Sequence, residues 1–145
     1  MMKVHEKSSN KLSPKVNALL IIDVQEKIIR AIFKKDSVTK NIKKLIDAYQ
    51  ILEELKNKKI TNLIVCGIET HICIQQTALD CLQKGFEVIL VSDAMSSRNT
   101  LDHEIALQRM IQKGAILTTT ESIIFELCKT AERKEFKEIR NIIIR

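Results

Sequence analysis

At 145 residues, with 45% hydrophobic and 29% charged side chains, the chain has the length and composition of one globular domain with its own core. Aromatics make up only 3%, so that core must be aliphatic, and no apolar run approaches the length of a membrane span. The net charge of +6 raises nucleic acid as a partner, but the lysines are spread over stretches such as KNIKK and KNKK, and zinc-finger spacing, an aromatic stacking motif and a Gly-rich phosphate loop are lacking; no nucleic acid and no membrane is expected.

Residues 1–15, polar and carrying the single proline, read as a flexible N-terminal tail before a domain spanning 16–145. Val16–Asp23 is a continuous apolar run ending in an acid, the pattern of a buried parallel strand. It has no small-residue cleavage site, so no secretory signal is expected. Val38, Ile42, Leu45, Ile46, Tyr49 and Leu52 recur at helical spacing, which predicts one helix over Ser37–Asn57 with Ser37 as its N-cap. A second strand is predicted over Ile60–Gly67, then a helix over Thr70–Lys84 closed by Gly85. Phe86–Asp93 is the third strand, followed by a helix capped by Thr100 and ended by Gly114. Ala115–Thr119 is the fourth strand, ESIIFELCKT a short helix, and ERKEFKEIRNIII a final amphipathic helix presenting Phe136, Ile139 and Ile143. Strands alternating with helices define an α/β protein with a parallel sheet.

In open parallel sheets ligands gather beyond the carboxyl ends of the strands. Asp23, GIETHIC and SDAMSS all fall there. With Thr70 as N-cap, Cys73 lies in the first helical turn, where free amides and the helix dipole favour a thiolate. Asp23 is placed to take the thiol proton, and amides of the 68–73 turn to hold an oxyanion. A second reading stands beside this one. A helical Cys is often a small buried hydrophobe, and a strand-end Asp often caps a loop. Cys66 and Cys81 are assigned to the core, His71 to the surface, His103 to a structural hydrogen bond, and Asp93 to bracing the loop after the third strand. The four cysteines form no CxxC and no metal-like pairing with His5, His71 or His103, which points to a reduced, cytoplasmic protein with no metal and no cofactor.

ALLIIDVQEKI resembles the first strand and DxQ turn of the isochorismatase-like cysteine hydrolases, and CGIETHICIQQTALDCLQKGFEVILVSDAMSSR resembles their nucleophile segment. The wording DVQEKI, CGIE…CI and the late EFKEI are similar to the isochorismatase domain-containing subgroup. The resemblance implies a Rossmann-like parallel sheet and an Asp–Lys–Cys triad in which Asp23 is the acid and Cys73 the nucleophile. It also implies a non-proline cis bond at Ile68–Glu69, an oxyanion hole from the amides of Glu69 and Cys73, and hydrolysis of C–N bonds of small amides through a thioester. Residues that bind substrate are not marked.

A departure from the family pattern lies between LIDAYQ and ILEELKNKKITNLIVCG. The family's second strand and triad lysine belong there, roughly 30 residues or more of a βαβ unit. No remaining lysine matches; Lys27 is near Asp23 only in sequence. The sheet is therefore expected to have about four strands, with a bare edge on the first strand and one bare face. From this follow weak turnover on a small-molecule substrate and a homo-oligomer. The alternative is a non-catalytic α/β remnant acting through association.

Overall fold

A computed structural model describes residues 17–52 and 60–145. Strand β1 (Asn17–Ile22), a short helix α1 (Glu26–Ile29) and helix α2 (Lys35–Ile51) are followed by β2 (Asn62–Ile68). A π-helical turn (Thr70–Ile74) runs into α3 (Gln75–Gln83); β3 (Glu87–Ser96), α4 (Thr100–Gln112), β4 (Ile116–Thr118), α5 (Thr120–Cys128) and α6 (Phe136–Ile144) complete the chain. The strands are all parallel, in the order β1-β2-β3-β4. The expected α/β class with an abbreviated Rossmann-like sheet is thus observed. The expected tail, 1–15, and the predicted helical stretch 53–57 lie outside the described residues. Among those described, no helix is long and apolar enough to cross a membrane.

The apolar spacing of α2 buries Val38, Ile42, Leu45 and Ala48 on one stripe. Its start differs from expectation. Lys34 turns left-handed (φ 54) and occupies the N-cap, so Ser37 sits inside the first turn and caps nothing. Asn99, whose side chain accepts from the Leu101 amide, replaces Thr100 as the cap of α4. Helix α3 does end as the sequence indicates: Gly85 N bonds Leu82 O and Phe86 N bonds Cys81 O, each at 3.1 Å, with Gly85 at φ +86.

The expectation of a bare sheet face is overturned. One face carries α2, α5 and α6, packed on Ile64, Cys66, Ile89 and Val91. The other carries α3 and α4, packed on Val65, Val88 and Leu90. The period-2 alternation of β2 and β3 supplies both cores, and their buried runs are apolar on both sides. The outer edge of β1 has no strand against it among the described residues.

This layering sets the hand of the connections. All three crossovers step in the same direction across the sheet, yet β2–α3–β3 and β3–α4–β4 pass over one face and β1–α2–β2 over the other. The β1–α2–β2 crossover is therefore opposite in hand to its neighbours. About 98% of such crossovers are right-handed, so the odd one is the left-handed one. The crossover takes this hand because α2 is bound to α5 and α6 rather than to α3. Its Lys44 Nζ donates to Ile143 O at 2.9 Å, and its Asn41 Nδ2 donates to Asp93 O at 2.7 Å.

Candidate active site

Strand β1 stops at Ile22, and the next residue, Asp23, takes a left-handed backbone (φ 53), a conformation that Asp tolerates better than most side chains. The turn directs its carboxylate to the start of the helix after β2. Cys73 Sγ donates to Asp23 Oδ2 at 3.3 Å, and Gln25 Nε2 donates to Asp23 Oδ1. Gly67 makes this approach possible. It lies beside Ile22 at φ +126, where any Cβ would overlap the Ile22 carbonyl oxygen.

The bond between Ile68 and Glu69 is cis. Glu69, not Thr70, is the N-cap residue, so Cys73 stands one position deeper than the sequence suggests. The first turn is wide: Ile74 N reaches back to Glu69 O at 3.3 Å, an i→i+5 closure, and Ile72 N shares the same oxygen at 3.2 Å. The segment joining β3 to α4 braces this turn. Arg98 donates from its backbone N (3.0 Å) and its Nε (3.1 Å) to Glu69 Oε2. Thr70 Oγ1 and His103 Nδ1 are 2.8 Å apart, as are His71 Nδ1 and Ser97 Oγ. His71 Nε2 is also 3.9 Å from Asp102 Oδ2, so its side chain is tied down rather than free on the surface.

Burial, then the hydrogen bond to Asp23 and its charge, push the Cys73 thiol above its ordinary pKa; the backbone amides of Cys73 and Glu69 pull the other way without prevailing. Cys73 thus favours the thiol, in contrast to the thiolate that the helix terminus alone would favour. Burial would raise the Glu69 carboxyl, but the amide and guanidinium of Arg98 outweigh it and hold it below the usual range. Burial leaves His103 less basic than usual. Cys66 is fully buried and pushed up to about 12, an inert core thiol; Cys128 is also buried and raised. Cys81 packs at the edge of the α3–α4 core.

Asp93 departs from its expected role. It lies within β3, which runs on to Ser96, and its Oδ1 accepts from Thr120 N (2.7 Å) and Thr120 Oγ1 (2.8 Å), capping α5. Lys27 is exposed, and among the described residues no lysine or arginine pairs with Asp23. Nor do three His, Cys, Asp or Glu side chains gather to hold a metal there. A recess of about 520 Å³ lies between the end of α2 and α6, at the opposite end of the sheet, and a cavity of about 390 Å³ lies behind His103, lined also by Lys34, Ser37 and Ser96. Neither is lined by Asp23 or Cys73. Gly67 and Arg98 escaped sequence reasoning, and Gln25 entered it only within the DxQ turn. Gly67 left a signal as a glycine at the carboxyl end of an apolar strand.

A parallel sheet covered by helices on both faces, with Cys73 and Asp23 in contact beyond its carboxyl edge, is a Rossmann-like α/β fold with a paired Cys and Asp. Residues 50–122, half the chain, match the isochorismatase domain, and the chain belongs to that family. It is 49% identical over 92 residues to isochorismatase family protein 1B of Dictyostelium discoideum, covering 62% of this chain and 45% of that protein. It is 46% identical over 114 residues to isochorismatase domain-containing protein 1 of Salmo salar, covering 79% and 38%. The chain thus spans less than half the length of these curated relatives. A structure described as the MAR1 ribonuclease from Caenorhabditis elegans superposes with a TM-score of 0.86 at 30% identity, covering 92% of each chain.

Proposed function

We propose that the chain carries the nucleophile and base of a cysteine hydrolase acting on a small amide or related C–N bond. The observation that carries this reading is the 3.3 Å contact between Cys73 Sγ and Asp23 Oδ2. Cys73 Sγ attacks the carbonyl carbon while its proton passes to Asp23, and the amides of Glu69 and Cys73 receive the oxyanion. Collapse breaks the C–N bond, and Asp23 returns the proton to the leaving amine. Water, deprotonated by Asp23, then opens the thioester; the acid leaves, and Cys73 recovers its proton. Residues 16–145 form the hydrolase domain after a tail at 1–15, and a reducing, cytoplasmic setting suits four unpaired cysteines.

Turnover is weak in this reading. In model peptides a thiol is a weaker acid than an Asp carboxyl by about 4–5 pH units, so the first proton transfer costs roughly 6 kcal/mol if nothing offsets it. A lysine beside the pair would lower that cost, and the resemblance places one in the segment this sequence lacks. Association without chemistry is the second reading, and its one supporting observation is the open edge of β1 among the described residues.

Intact-mass spectrometry of the chain with a panel of small primary amides and p-nitroanilides separates the two. The expected result is an acyl adduct on Cys73 that disappears in Cys73→Ala, with single-stranded RNA left uncut. Hydrolysis that survives Cys73→Ala would overturn the assignment.

A further inference from the structure

We propose that Arg98 is a positioning residue for Cys73: by fixing Glu69 at its carboxylate, it keeps the Glu69 amide aimed at the sulfur and at the oxyanion formed beside it. The inference rests on the reading of Cys73 as the reactive thiol. Glu69 is the single residue between the end of β2 and the turn that carries Cys73, and it is held at both ends. Its carbonyl accepts the amides of Ile72 and Ile74, which sets the wide first turn. Its carboxylate, only 9% exposed, accepts two hydrogen bonds on one oxygen, both from Arg98. The backbone donor fixes where the carboxylate lies. The Nε donor fixes its rotation, because a guanidinium donates along set directions in a plane. Arg98 is itself anchored by its place between Ser97, bonded to His71, and Asn99, which caps α4. Orientation therefore passes from the start of α4 through Arg98 to Glu69, and from there to the residue two helical positions before Ile72 and three before Cys73, the opening of the turn. Arg98 touches neither Cys73 nor Asp23 among the contacts described, and this is what makes it a positioning residue rather than a catalytic one.

Iodoacetamide labelling of Cys73, followed across pH by peptide mass spectrometry with Cys81 as internal reference, yields the thiol titration and the pH-independent rate of its thiolate. Arg98→Ala should move the Cys73 profile to higher pH and slow its labelling at neutral pH roughly tenfold, the scale of one charge-assisted hydrogen bond, with Cys81 unchanged. Arg98→Lys keeps the charge without the planar fork and should behave as Arg98→Ala. Glu69→Gln keeps an oxygen acceptor for both donors and should retain the thiolate rate. Full rescue by Arg98→Lys would show that charge alone acts and would overturn the proposal, as would an unchanged profile in Arg98→Ala. If Cys73 in the unaltered chain forms no acyl adduct with the amide panel, the reading of Cys73 itself has failed, which is a separate result.

Discussion

Replacing Gly67 by alanine tests the joint on which the Asp23–Cys73 contact depends. Gly67 holds φ +126, and its new Cβ would overlap the Ile22 carbonyl oxygen and lie 2.7 Å from Ile22 N and 2.9 Å from Ile22 C. A side chain in so sparsely populated a backbone region costs about 1–3 kcal/mol before any collision. The collision is with backbone, so β1 must shift, and overpacking of this kind costs typically about 1–3 kcal/mol more. The sum is roughly 2–6 kcal/mol against a total stability of about 5–15 kcal/mol for a natural domain. Gly85 is the control: its φ is +86, but nothing lies within 4 Å of the Cβ position. Gly85→Ala should therefore cost only the conformational part, about 1–2 kcal/mol. Equilibrium urea unfolding followed by circular dichroism measures both. Because Ile22 precedes Asp23, Gly67→Ala should also change Cys73 labelling, which Gly85→Ala should not. Gly67→Ala and Gly85→Ala agreeing within about 0.5 kcal/mol would refute the steric argument.

Four further outcomes follow from the same geometry. Asp23→Asn removes the charge that raises the Cys73 thiol, so iodoacetamide labelling should shift to lower pH while acylation by amides slows; a shift to higher pH would contradict the assignment. Cys66 rises from 9.0 to about 12 on folding. The folded state keeps a proton that the unfolded chain has released, so stability should fall from about pH 9 to 12, by up to about 1.4 kcal/mol per pH unit for this group, and Cys66→Ala should flatten the slope seen in urea midpoints. Asp93→Ala should cost about 0.5–2 kcal/mol by leaving the start of α5 uncapped, a loss visible in the thermal midpoint. The open edge of β1 should drive self-association that Ile21→Lys weakens; sedimentation showing monomer throughout the micromolar range would remove that basis.

Strand and helix identities were legible because the apolar runs are long and their periods clear. Asp23 and Cys73 were legible as candidates because one ends an apolar run and the other opens a polar helix. What escaped depends on contacts between distant residues. Asp93 reads as a loop residue after an apolar run, yet Gly67 and Ile68 pair with Met95 and Ser96 across a shift in register and hold β3 extended for three residues more. The helix terminus argues for a thiolate at Cys73, but burial and the carboxylate 3.3 Å away are the stronger influences. The sheet faces could not be assigned by the handedness rule, because α2 takes its place from α5 and α6, whose docking a local pattern does not show.

The reversed hand of the β1–α2–β2 connection bears on where this fold can take up additional chain. Helix α2 lies over the face from which a right-handed path leads outward, past the open edge of β1, rather than inward to β2. A strand laid on that edge after α2, and returned to β2 by a second helix on the α3–α4 face, would replace one left-handed crossover with two right-handed ones. The order of β2, β3 and β4 would be untouched. The other two crossovers link strands already in contact with the usual hand, and they offer no such entry. The junction between Leu52 and Ile60 is therefore the point at which an engineered strand–helix unit can be spliced in, lengthening the sheet at its free end and leaving the geometry around Cys73 to be varied from the side that is now open.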